Sequence, residues 1–205
     1  MPVQMIMKYL LGLMILAVGL AVGLVFPDID QRIGNGETDL LLHRSILTHG
    51  LIIPVILFVF TLVKRSVYLE RLTLGVMVGV AIHLSFDLFP RSWYGFALIS
   101  IPFNGWTPVW FSWLWIASSI VACTYMASSM VRTRVDYVLF GLSFLLMFVC
   151  AVQTERTFWE PLVTLTIAIG ITFGLPLYRW ASSTGRSVVT VSLDDKTVSK
   201  IDELV

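Results

Sequence analysis

Apolar runs of close to twenty residues alternate with short polar stretches along the chain, at residues 8–26, 46–64, 72–90, 109–131, 137–153 and 158–178. Each run, coiled as a helix, is about long enough to cross a hydrocarbon core of ~30 Å. A bilayer offers no water to backbone N–H and C=O groups, so a spanning segment closes its hydrogen bonds internally. The pattern therefore predicts an all-α, polytopic membrane protein with about six transmembrane helices. Residues 1–180 form its helical domain, and residues 181–205 a short cytoplasmic tail. The first run ends directly in Pro27 and Asp28, with no small-x-small cleavage site, and reads as an uncleaved anchor.

Composition agrees with this class. Of 205 residues, 57% are hydrophobic, and the mean hydropathy of +0.86 lies far outside the globular range. The net charge of +1 says little, but its distribution says more. With six spans, both termini share a side with the short loops 65–71 and 132–136. That side carries Lys8, Lys64, Arg65, Arg71, Arg132, Arg134, Arg179, Arg186, Lys196 and Lys200, ten of the fourteen basic residues. The positive-inside bias places both termini in the cytoplasm, across a plasma (inner) membrane. Cys123 and Cys150 sit inside apolar spans and read as core residues.

Against this apolar background the stretch from Phe26 to Gly50 stands out, holding Asp28, Asp30, Glu37, Asp39, His43, Arg44 and His49. The third span, Leu72 to Pro90, adds His83 and Asp87. Ionisable residues at membrane depth are costly and mark function by default. These two lie one helical turn apart on one face, and stepping back along that face gives Gly79 and Gly75. Gly19 and Gly23 carry the same spacing in the first span. Small residues four apart let helices approach closely, so spans one and three are expected to pack and bring their outer ends together.

One topology then gathers Asp28, Asp30, His43, His49, His83 and Asp87 on the outer side as candidate metal ligands. Imidazole nitrogen and carboxylate oxygen suit zinc above all, or manganese or iron. Six donors exceed what one hydrolytic ion needs. Either two ions share them, or some act as orienters or general bases. Asp30, Arg44 and His49 are the candidate catalytic residues, Arg44 as a planar clamp for an anionic substrate group. Each residue also has a plainer reading: Asp28 and Asp30 as a helix stop, His43 as a loop residue, His83 with Asp87 as an interhelical pair, Arg44 as a snorkelling anchor.

The segments PDID, HRSILTH and AIHLSFDLFPRSWYGFALISIP resemble the successive motifs of the LexA-regulated inner-membrane family of metal-dependent hydrolases. The resemblance covers residues 20–105 and matches Asp28, Asp30, His43, Arg44, Thr48, His49, His83 and Asp87, with Gly95 and Pro102 downstream. It implies a metal-dependent hydrolase. The chain departs from the family in lacking a histidine before His43, in one extra residue between His43 and His49, and in Ile82 where a serine is common.

Residues 91–108 are too broken by Pro102, Gly105 and Pro108 to span. With Trp93, Tyr94 and Trp106 they make either a re-entrant lid or an interfacial connector. Spans four to six read as scaffold. In the tail, Ser187 to Leu193 alternates like a strand, and Val198, Ile201 and Leu204 fall at helical spacing. That matches the first half of a ribbon-helix-helix module, but an interaction tail pairing with a partner or a second copy is favoured over nucleic-acid binding. The expected function is a membrane-embedded metal-dependent hydrolase, its substrate reached from the bilayer and lipid-linked or a phosphoester. The alternatives are a small cation transporter or a structural metal staple. The apolar, glycine-bearing inner halves of spans one and three favour the enzyme over the transporter.

Overall fold

The computed structural model describes residues 3–30, 42–89, 98–131, 134–155 and 158–184. Six helices account for most of them: α1 (Val3–Val25), α2 (Ile52–Lys64), α3 (Val67–Asp87), α4 (Val109–Met130), α5 (Arg134–Glu155) and α6 (Trp159–Thr184). A hairpin of two short antiparallel strands, β1 (Ser100–Ile101) and β2 (Gly105–Trp106), precedes α4. The chain divides into two compact units, residues 1–173 and 174–205, and the site lies wholly in the first. The strand-and-helix pattern expected from Ser187 onward lies outside the described residues, as do Trp93, Tyr94 and Gly95.

Among the described residues α1, α3, α4 and α5 are long and apolar enough to cross a membrane, and this is a multi-pass membrane protein. Six crossings were expected, and four helices of spanning length stand among the described residues. The apolar part of α6 is shorter, and α2 has 13 residues where a span over 46–64 was expected. Residues 45–51 are turns instead, because the amides of Thr48 and His49 both bond the Ser45 carbonyl, at 3.0 and 2.8 Å.

Helix α3 is the axis of the first unit. It packs on α1, α2, α4 and α5, and its residues Thr73 to Ile82 are all buried. A stretch apolar on every side, as Leu74 to Ile82 is, belongs in such a position. By contrast, α1 turns Met7, Met14, Val18, Val22 and Val25 outward at helical spacing, a surface for lipid acyl chains. Its opposite face lies against α3, running parallel to it. A Cβ on Gly79 would stand against the Leu20 carbonyl and 2.8 Å from the Leu24 nitrogen. Gly19, Gly23 and Gly75 are equally tight against facing backbone. The expected packing of these helices is thus present as backbone-to-backbone contact, and it brings the C-terminal ends of α1 and α3 together. Cys123 is buried as expected, while Cys150 lies on an exposed face.

Candidate metal centre

At the shared end of α1 and α3, the chain leaving α1 supplies Asp28 and Asp30, the turn before α2 supplies His43 and His49, and the last turns of α3 supply His83 and Asp87. The close α1–α3 seam sets the first of these contacts. His83 Nδ1 lies 2.9 Å from the Leu24 carbonyl oxygen. A carbonyl only accepts, so Nδ1 carries a proton and Nε2 is the ring atom turned toward the site.

His49 is fixed the same way by a carboxylate. Its Nδ1 lies 3.2 Å from Asp30 Oδ2, and its side chain is wholly buried. The same Asp30 oxygen accepts the Ser45 amide at 3.0 Å and the Thr48 hydroxyl at 2.8 Å, while Oδ1 faces His43 Nδ1 at 3.5 Å. Burial alone would push the Asp30 carboxyl up. Hydrogen bonds from His43 and His49, the charge of His49 and the Thr48 hydroxyl outweigh burial and hold it well below the usual carboxylate range. Asp30 therefore sits behind the histidines with its oxygens committed to their Nδ1 atoms, to Thr48 and to Ser45. Expected among the metal ligands, Asp30 belongs to neither triad able to hold an ion and faces the Nδ1 atoms of His43 and His49 instead.

In front of them, His49 Nε2 and His83 Nε2 lie 3.3 and 3.1 Å from Asp87 Oδ2. All three atoms are buried and make no hydrogen bond among the described residues. Apart from these contacts with one another, the three have no hydrogen-bond partner in this buried place. A cation between them would engage all three at once. Ligands about 2.1 Å from a tetrahedral ion stand ~3.4 Å apart, close to the spacing seen. Asp28 Oδ1 borders the same point, 3.9 Å from His49 Nε2 and 3.8 Å from His83 Nε2, with its side chain 41% exposed.

Two triads can hold an ion, Asp28–His43–His49 and His49–His83–Asp87. His49 has one nitrogen not turned to Asp30, so both triads meet at a single centre. The rings enclose it edge to face, His49 against His83 at 5.3 Å and against His43 at 5.7 Å between centroids. Arg44 places Nε at 3.2 Å and Nη2 at 3.1 Å from Asp87 Oδ1, so its guanidinium aims the other carboxylate oxygen at the histidines. Its backbone is left-handed, with φ of 59°.

Several supporting groups carry no strong signal in the sequence. Ser45 contributes only its amide to Asp30. Trp115 of α4 donates from Nε1 to the His49 carbonyl at 2.9 Å, and its ring fills the space where a Gly50 side chain would lie. Ser100 of β1 donates its amide to the Arg44 carbonyl and accepts the Ile46 amide, both at 2.9 Å. The small residue directly after His49 is the one clue that a bulky partner packs there. The chain matches no family model, no curated protein and no solved structure.

Proposed function

We propose that this chain is a membrane-embedded, metal-dependent hydrolase of the kind its motifs resemble, acting on a phosphoester carried by a lipid or another amphipathic molecule. The observation that carries this reading is the convergence of three buried, unsatisfied donors, His49 Nε2, His83 Nε2 and Asp87 Oδ2. Two imidazoles and a carboxylate are a donor set that hydrolytic zinc centres use, and Asp28 and His43 stand in the adjoining triad. Zinc is the preferred ion, with manganese and iron compatible with the same donors. A divalent ion here supplies acidity to a water molecule and polarises an ester oxygen.

The protein's own groups do the rest. Asp28, more exposed and slightly farther away, would accept a proton from an attacking water beside the ion. Asp30 and the Leu24 carbonyl hold the imidazole tautomers. Arg44 fixes Asp87 and keeps Nη1 uncommitted among the described residues, one N–H edge for a phosphate oxygen beside the ion. The distribution of basic residues supports an outward-facing site with both termini in the cytoplasm of a plasma membrane. The seam beneath the site, closed by glycine contacts, weighs against a cation path along α1 and α3.

Elemental analysis of the purified protein beside a His83→Ala/Asp87→Ala variant tests the reading. One equivalent of a transition metal, lost in a folded variant, is expected, followed by hydrolysis of lipid-linked phosphoesters that depends on Asp28. No specific metal after reconstitution would overturn it. A tightly held ion with no turnover in an Asp28-intact protein would instead make the centre a structural staple.

A further inference from the structure

Residues 92–131 form a stretch of forty positions without a single charged residue or histidine. The hairpin lies within it. The turn between its strands is Pro102–Phe103–Asn104, and beside the small polar Asn104 it exposes a large aromatic, Phe103, 78% exposed and held left-handed at φ 63°. A bulky residue in that region is strained by about 1–2 kcal/mol, so the tip is not built for local comfort. Trp106 on β2 is exposed as well, and so are Trp110 and Trp113 in the first turns of α4, a helix long and apolar enough to span.

The base of the hairpin is anchored firmly. The Ile99 amide donates to Ser112 Oγ at 3.0 Å, and Thr107 donates to the Ile99 carbonyl through both its amide and its hydroxyl. From that base Ser100 pairs with the loop carrying Arg44 and Ser45. The tip is apolar and outward, and the root is bonded to the metal-site loop.

We propose that the Ser100–Trp106 hairpin is an anchor in the headgroup–acyl boundary of a phospholipid bilayer, with Phe103 as its inserted side chain, and that this contact steadies the loop presenting Arg44 and Ser45. The aromatic rings find both phases there, and the absence of charge removes any penalty for entering it. The proposal does not depend on the chemistry of the metal centre.

The test uses the full chain in phosphatidylcholine nanodiscs, with Phe103→Cys in a Cys123→Ala/Cys150→Ala background and a nitroxide on the new thiol. Collisional relaxation by oxygen is expected to exceed that by a water-soluble chromium complex several-fold. Equal or greater access to chromium would overturn the proposal, and so would a label shielded from both, which would mean a protein surface covers the tip. Phe103→Asn tests the coupling, because asparagine tolerates the left-handed tip. Its thermal midpoint in detergent is expected to match the parent, while the Ser100 and Ile46 amides exchange deuterium faster in nanodiscs. Unchanged exchange at both amides would remove the link between bilayer and loop.

Discussion

Asp30 binds two imidazoles, a hydroxyl and an amide with one carboxylate, and no substitute does all four. Asparagine keeps the size but offers only one acceptor oxygen, so Asp30→Asn leaves one histidine without its Nδ1 partner. Metal affinity is expected to fall by about 10–100-fold, the usual effect of losing a carboxylate behind a ligating histidine, as read by competition with a chelating dye. Cobalt substituted into the variant should show an altered visible spectrum, which a purely structural defect would not produce. Asp28→Asn is expected to keep the ion and lose turnover. The depressed Asp30 pKa gives a second expectation. Its folded value lies below the unfolded value of about 3.9, so its contribution to stability is full at neutral pH and is lost as pH falls from that region toward the depressed value. Thermal melts of apo protein over this acid range should slope less steeply for Asp30→Asn than for the parent.

At the scale of elements the α1–α3 seam decides whether the site exists. A methyl group at Gly79 would meet the Leu20 carbonyl and the Leu24 nitrogen, and Leu24 also holds His83. Gly79→Ala is expected to destabilise by about 1–3 kcal/mol, as overpacking does, and to lower metal affinity in the same preparation. Gly141→Ala meets nothing within 4 Å and is the control expected to change neither. This seam was legible in the sequence because glycine spacing and helical periodicity are local signals, as was the pairing of His83 with Asp87. The start of α2 was not. Leu47 and Leu51 extend the apolar run of α2 backwards, and nothing in their type reveals that Ser45 closes a turn beneath them. The inward position of Asp30 was hidden for a related reason. Asp28 and Asp30 look alike in sequence, and only the fold brings Thr48 and the Ser45 amide to one of them.

For the first unit as a whole, apolar length along the chain foretold a membrane protein of several helices, and the order of polar residues foretold where they gather. What bonds to what at that place depended on long-range contacts, such as Trp115 to His49 and Ser100 to Arg44, that no local pattern encodes. Helix α2 has a further consequence. Its 13 residues reach only about 20 Å, against a hydrocarbon core of ~30 Å. In the proposed topology, with both termini in the cytoplasm, the remainder of that path is the turn at residues 45–51, most of which is buried in protein. Hydrophobic mismatch should therefore strain this protein in thick bilayers and draw the membrane thinner around α2. Reconstituted into dimyristoleoyl and dierucoyl phosphatidylcholine, it is expected to be more stable and better metallated in the short-chain lipid. A cell whose membranes differ in thickness would then concentrate the active protein in the thinner ones.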